Sequence, residues 1–248
     1  MGNGMIYTSF AQVYDRLMDQ SLYQKWHDYV RQYIKPQGQS LLELACGSGT
    51  LAVQLAQTGF KVTGFDLSDE MLTLAAQKAM AAHVDLPLIQ GDMRDLTMLP
   101  SFDIVTCFDD SICYMRDLAD VQQVMQQVYR LLPTGGYFLF DAHSLYQMDE
   151  VFPGYMFNDH TEDTAFMWRS YYGDEPHSVE HDLTFFVWND QIGGYQAFNE
   201  LHHERTYPLS DFQHALQATG FHNIRVTSDF GTKVPDERST RWFFAAQK

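Results

Sequence analysis

The sequence predicts an open α/β fold: a doubly wound, mostly parallel sheet of seven strands whose last strand is antiparallel, with a β-rich insertion after the fifth. Three observations carry this. Short apolar runs alternate with segments of helical periodicity from residue 40 to 141, the pattern of a parallel sheet with right-handed crossovers. A glycine turn, Cys46-Gly47-Ser48-Gly49-Thr50, joins the first strand directly to a helix. The alternation then stops, and residues 165–206 hold three β-rich runs with no helix between them.

Leu22, Trp26, Tyr29, Val30 and Tyr33 recur at helical spacing over 21–34, and Pro36 and Gly38 end that helix. A strand at 40–45 enters the glycine turn, and the helix after it runs to about Thr58, where Gly59 caps it. Lys61–Asp66 reads as the second strand, with Asp66 at its carboxyl end. Ser68 is an N-cap for a helix reaching about His83, and Met71, Leu72 and Ala75 open its apolar face. A short strand at 86–90 ends in Gly91-Asp92-Met93. Phe102–Phe108 is the fourth strand, 117–132 a helix stopped by Pro133 and Gly135-Gly136, and Tyr137–Asp141 the fifth strand. Turn residues at Gly173–Pro176 and Asn189-Asp190 separate the runs Ala165–Tyr172, Val179–Trp188 and Gly194–Arg205, which predicts an antiparallel meander. A helix over Leu209–Ala218 and a strand at 221–230 resume the main pattern. The closing strand, Arg241–Ala246, follows a loop too short for a crossover helix and is placed antiparallel. The expected organisation is a main domain of residues 1–142 and 207–248, with 1–36 as a helical cover, and an inserted lobe of residues 143–206.

Acidic residues number 32 against 16 basic ones, a net charge of −16. Phosphate backbones and anionic membrane surfaces would meet repulsion, so neither nucleic acid nor membrane is an expected partner. Three cysteines without a pairing pattern read as reduced thiols. The opening residues lack a charged-then-apolar leader, and no apolar run approaches the length of a spanning helix. A cytoplasmic protein is therefore expected, and a homodimer is compatible with the sequence.

Gly47-Ser-Gly49-Thr-Leu-Ala52 matches the G-x-G-x-x-G/A pattern, and Asp66 stands where a ribose-binding carboxylate belongs. Two ligand classes share this signal. A dinucleotide would set its pyrophosphate on the helix N-terminus, where the neighbouring Glu43 carboxylate repels it. A cationic, phosphate-free ligand would gain from the same carboxylate. The bland alternative is that Glu43 is a strand-end residue paired with a lysine.

With these residues in place the chain resembles the class I S-adenosylmethionine-dependent methyltransferases over most of its length. Glu43-Leu-Ala-Cys-Gly47-Ser-Gly49 looks like that family's first motif, Asp66 like its ribose-binding acid, and Gly91-Asp92-Met93 like its adenine-contacting turn. Arg130–Gly136 looks like the segment before the fifth strand. Tyr14-Asp15-Arg-Leu-Met18 and the insertion after Asp141 look like small bacterial members of mostly unassigned substrate. The resemblance implies a Rossmann-like sheet, S-adenosylmethionine as cofactor and a small-molecule methyl acceptor. It implies a cofactor site of Glu43, Ala45, Gly47, Gly49, Asp66, Leu67, Met71, Asp92, Met93, Phe108 and Asp109, covered by Tyr7 and Tyr14. Asp66 would accept from the ribose hydroxyls, Leu67 and Met71 would flank the adenine, and Asp92 would accept from its amine.

Carboxyl ends of parallel strands line the ligand crevice, so Asp109-Asp110-Ser111 after the fourth strand should face the transferable methyl group. Relatives commonly carry an asparagine where this chain has Cys113, which weakens inference about the acceptor. Asp110 and His143 are the candidate catalytic residues, His143 as a general base at the crevice mouth. Helix capping by Asp110 and a solvated His143 are the alternatives. His177 and His181 could share a strand face, but no third ligand stands at metal-site spacing, so no metal is expected. A nicotinamide-dependent oxidoreductase keeps the glycine turn and Asp66 but leaves Glu43 and Gly91-Asp92-Met93 unexplained. A non-catalytic cofactor-binding regulator, with the aromatic insertion as a partner surface, is the other rival.

Overall fold

The computed structural model describes residues 19–248. Helix α1 (Gln20–Tyr33) starts at Asp19, whose side chain accepts from Ser21 N. Strand β1 (Ser40–Leu44), helix α2 (Thr50–Gln57), β2 (Lys61–Asp66), α3 (Asp69–Ala82), β3 (Leu88–Gln90), β4 (Ile104–Cys107), α4 (Leu118–Leu131) and β5 (Tyr137–His143) then alternate. The chain closes with α5 (Leu209–Thr219), β10 (His222–Thr227) and β11 (Arg241–Gln247). The main sheet has seven strands in the order β10-β11-β5-β4-β1-β2-β3, and only β11 runs antiparallel to its neighbours. The doubly wound, mostly parallel sheet is thus the fold the sequence predicts.

Strand residues alternate between two cores, as a period of two requires. Leu42, Leu44, Phe138, Phe140 and Phe244 pack with α4 and α5, whereas Leu41, Leu139 and Phe243 pack with α1 and α2. The same alternation sends Asp141, His143 and Arg241 to the α1 side, at the carboxyl edge of the sheet. Register places Arg241 opposite His143 and Phe243 opposite Asp141.

The insertion forms a second sheet, β6-β7-β8-β9, antiparallel throughout. Its strands are β6 (Met156–His160), β7 (Thr164–Tyr172), β8 (Ser178–Asn189) and β9 (Gly194–Arg205). Strand β6 has no counterpart in the sequence reading. Every one of its residues is exposed, so the edge strand carries no inside–outside alternation to detect. In β8, Val179, His181, Leu183, Phe185 and Val187 all face inward, which buries a histidine with the aliphatic row. Thr206 Oγ1 donates to the His143 carbonyl at 2.6 Å and ties the end of β9 to the end of β5. No helix among the described residues is long and apolar enough to cross a membrane.

Candidate active site

Two clusters of carboxylates stand at the carboxyl edge of the main sheet. The first surrounds the glycine turn. Ala45, Gly47 and Gly49 all take positive φ, at 52°, 54° and 75°, so the chain reverses sharply between β1 and α2. A Cβ on Gly49 would come within 2.7 Å of the Ala75 Cβ, so glycine there lets α3 pack closely. A Cβ on Gly47 would meet nothing within 4 Å among the described residues. Asp66 faces the turn. Its Oδ2 accepts from Gly47 N at 2.7 Å and its Oδ1 from Ser68 N at 2.9 Å, so each oxygen keeps a lone pair for a ligand. Burial raises the Asp66 pKa, with the two backbone donors opposing. Glu43 is 4% exposed, and its Oε2 has no hydrogen-bond partner among the described residues. Burial, and then the charge of Asp66, push its pKa up to about 8. No lysine offsets it among the described residues, so the strand-end ion pair is not formed. Lys78 is spent elsewhere, donating to Ser48 Oγ at 2.8 Å and to Thr50 Oγ1.

The remaining residues expected at this end divide. Leu67 is 71% exposed beside Asp66, and Met71 is half-buried on the next turn. Ser68 Oγ accepts from Met71 N at 3.2 Å, the N-cap that sets this geometry. Met93 packs partly against the core. Asp92 is committed to its own turn: Arg94 N, Nε and Nη2 donate to its two oxygens and fill its acceptor positions. The expectation of a free carboxylate for the adenine amine therefore does not match the geometry. Phe108 also differs, since its ring is buried against Trp26 and Tyr29 at centroid distances of 6.4 and 6.0 Å. Tyr7 and Tyr14 lie outside the described residues.

The second cluster lies beyond β4 and β5. Asp109 and Asp110 are consecutive left-handed residues, at φ 55° and 49°, a strained turn that aims both side chains into the crevice. Asp110 makes no side-chain cap of the turn Ser111–Tyr114, so the capping alternative fails. Arg241 reaches all three neighbouring acids: Asp110 in a close ion pair, Asp141 at 3.1 Å and Asp109 at 3.6 Å. Asp141, fully buried, also accepts from Trp26 Nε1 and from Asp110 N, each at 2.7 Å. Burial opposes ionisation of Asp110, but Arg241 and then His143 outweigh it and hold this carboxyl below its usual range. Burial and then the Asp110 charge push Asp109 up to about 8.

His143 is not a solvated loop residue. It ends β5, is 7% exposed, and its Nε2 stands 3.2 Å from Asp110 Oδ1, so the structure brings the two candidate catalytic residues together. The same nitrogen is 3.6 Å from Oε2 of Glu204, a residue of β9 that the sequence reading missed. Arg241 and Trp26 were missed too, although a charge opening an apolar strand beside β5 was a signal for Arg241. Glu204 had none, because its meaning depends on how the second sheet docks. It is 5% exposed, and burial, then Asp110, push its pKa well up. His181 Nε2 flanks it at 3.7 Å. Phe152 packs edge-on to both His143 and His181, at 4.9 and 4.6 Å. His177 stands apart and bonds Asp149 at 2.8 Å, so the paired strand face expected of His177 and His181 is not formed.

The first cluster fits a phosphate-free cation: an orphaned buried carboxylate, a second with free lone pairs, and clearance at Gly47, all among the described residues. Residues 41–136 match the family model described as a methyltransferase domain. A protein of Geobacillus sp. (strain WCH70), provisionally named a methyltransferase, is 41% identical over 248 residues, covering 98% of this chain and 100% of that protein. YqeM of Bacillus subtilis (strain 168), named in the same provisional way, is 41% identical over 245 residues and 98% of each chain. The crystal structure of an S-adenosylmethionine-dependent methyltransferase from Clostridium acetobutylicum ATCC 824 is similar with a TM-score of 0.82 and 28% identity, over 96% of this chain and 97% of that one. The chain belongs to the class I S-adenosylmethionine-dependent methyltransferases. Its cofactor is S-adenosylmethionine, and the oxidoreductase and non-catalytic readings fall away.

Proposed function

We propose that the first cluster holds the cofactor and that the second meets a small-molecule acceptor, with the reacting atoms between Asp66 and Asp110. When bound, S-adenosylmethionine supplies a methyl group already activated on a sulfonium. Asp66 accepts from both ribose hydroxyls through the lone pairs that Gly47 N and Ser68 N leave free. Glu43 and the positive-φ turn over Ala45, Gly47 and Gly49 hold the cationic methionine end. Leu67 and Met71 flank the adenine, and Met93 lines its edge. Asp92, saturated by Arg94, shapes the turn rather than taking the amine. Asp109, Asp110 and the Phe108 backbone close the crevice on the methyl side.

At the acceptor end, Arg241 fixes Asp110, and Asp110 orients the His143 ring. These two residues receive the attacking heteroatom and whatever proton it carries. Alignment is the main requirement, because the electrophile needs no activation by the protein; in-line placement contributes roughly 7–11 kcal/mol. The net charge of −16 supports a protein that avoids nucleic acid and anionic membranes, and three free buried cysteines support a reducing compartment such as the cytoplasm.

The observation that carries this reading is Asp66, held by two backbone donors beside Gly47, where no described residue stands within 4 Å of an added Cβ. Calorimetry with S-adenosylhomocysteine tests it. Asp66→Ala should raise the dissociation constant about tenfold or more while circular dichroism is unchanged. An unchanged constant refutes the ribose assignment, and tight binding of NAD instead would refute the cofactor site as drawn.

A further inference from the structure

Asp110, His143 and Glu204 come from three separate segments, yet one ligating atom of each lies within 4.8 Å of the others, and all three residues are buried. His143 Nε2 is 3.2 Å from Asp110 Oδ1 and 3.6 Å from Glu204 Oε2. A zinc-like ion bonded at about 2.0–2.2 Å in tetrahedral geometry sets its ligand atoms about 3.3–3.6 Å apart. Both distances from His143 Nε2 match that spacing closely, and the third pair lies within 4.8 Å.

Glu204 supplies the second, independent observation. Its Oε2 is buried without a hydrogen-bond partner among the described residues and lies 3.6 Å from His143 Nε2. Arg241 is shared among Asp109, Asp110 and Asp141 and is not in ion-pair contact with Glu204. His181 cannot supply the missing charge in this arrangement. Trp168 Nε1, which can only donate, bonds His181 Nδ1 at 3.1 Å, and the ring therefore carries its proton on Nε2. That nitrogen stands 3.7 Å from Glu204 Oε1, beyond hydrogen-bond reach. The other histidine–acid contacts of the insertion, His177–Asp149, His202–Glu200 and His203–Glu180, are pairs without a third ligand.

We propose that Asp110, His143 and Glu204 form a divalent-cation site of the zinc or manganese type, with its fourth position open to the acceptor. One imidazole with two carboxylates suits these ions, and three protein ligands with one vacancy is the arrangement of a reactive rather than a structural centre. With the ion bound, His143 Nε2 is a ligand and no longer a base, so an acceptor oxygen at the open position would lose its proton to solvent instead, because a bound dication lowers the pKa of a coordinated hydroxyl. That role rests on the acceptor assignment made above; the binding of the ion does not.

The test uses the full chain, stripped with chelator and titrated with zinc chloride or manganese chloride in a calorimeter, without cofactor or acceptor. One equivalent should bind saturably and raise the melting temperature. Glu204→Gln should weaken that binding by about a hundredfold, while Glu180→Gln, at a surface pair, leaves it unchanged. Cobalt chloride is the second readout: the wild-type complex should show the intense visible absorption of a four-coordinate site, a result that does not depend on any variant folding. Absence of saturable one-equivalent binding overturns the proposal, as does a Glu204→Gln protein that binds like the wild type. Cofactor affinity, measured separately with S-adenosylhomocysteine, decides the assignment of the first cluster and is independent of both outcomes.

Discussion

The two ends of the crevice are built in opposite ways. The cofactor end comes from a continuous piece of chain: β1, the glycine turn, and Asp66 at the end of the adjacent strand, which parallel pairing brings alongside. The acceptor end gathers Trp26, Asp110, Asp141, His143, Glu204 and Arg241 from across the whole length. Its geometry depends on tertiary events, namely the antiparallel β11 delivering Arg241 and the second sheet delivering Glu204. The first end is specified locally and tolerates change elsewhere. The second is a network in which each acid depends on a distant partner.

The largest expected effect follows from that dependence. Arg241→Ala leaves Asp109, Asp110 and Asp141 without their shared cation inside the protein. Breaking a buried ion network from one side costs about 3–5 kcal/mol. Urea denaturation should show a loss of that size, with the cofactor end failing only because the fold weakens. A loss below about 1 kcal/mol, the scale of an exposed ion pair, would mean that solvent screens the cluster and that the contrast between the two ends is overstated.

The same contrast explains what could be read from the sequence. Glycine turns, strand-end acids and N-caps such as Ser68 act over a few residues, so Gly47, Gly49 and Asp66 were legible, as was the mostly parallel seven-stranded sheet with its antiparallel last strand. Asp92 was assigned a ligand because its turn matched a pattern, yet Arg94, two residues on, takes the carboxylate. Phe108 was misread because a strand-end aromatic can face the crevice or the core, and the docking of Trp26 and Tyr29 decides which. Glu204 was invisible, since an acid in a half-exposed strand acquires meaning only when the sheet closes over His143.

A middle-sized effect separates backbone strain from ligand clearance within the cofactor end. Gly49→Ala combines a φ of 75° with a Cβ placed 2.7 Å from that of Ala75, so it should cost about 1–3 kcal/mol of stability. Gly47→Ala meets no neighbour among the described residues, and Ala45 already adopts a similar φ of 52° in the same turn. This variant should keep more of its stability but lose affinity for S-adenosylhomocysteine, because its methyl group enters the proposed cofactor site. Thermal melts with and without ligand read both quantities. Equal affinity in Gly47→Ala and wild type would show that the cofactor does not approach this glycine.

A slope in pH isolates Glu43. Its pKa in the folded protein, raised to about 8 by burial and by Asp66, stands above its ordinary value of 4.5. Between these values the folded state keeps a proton that the unfolded chain has released. Stability from this group is therefore full below about pH 4.5 and falls as pH rises toward 8. Glu43→Gln is close to isosteric with the protonated form and carries no such titration. The difference in melting temperature between Glu43→Gln and wild type, without ligand, should thus widen in favour of the variant from pH 5 to 8 and level off above. Parallel curves for the two proteins would mean that Glu43 is already ionised at pH 5, with a compensating cation close by. The cofactor end would then be as networked as the acceptor end, and the distinction between a local site and a distributed one would fail at the residue that most strongly marks a cationic ligand.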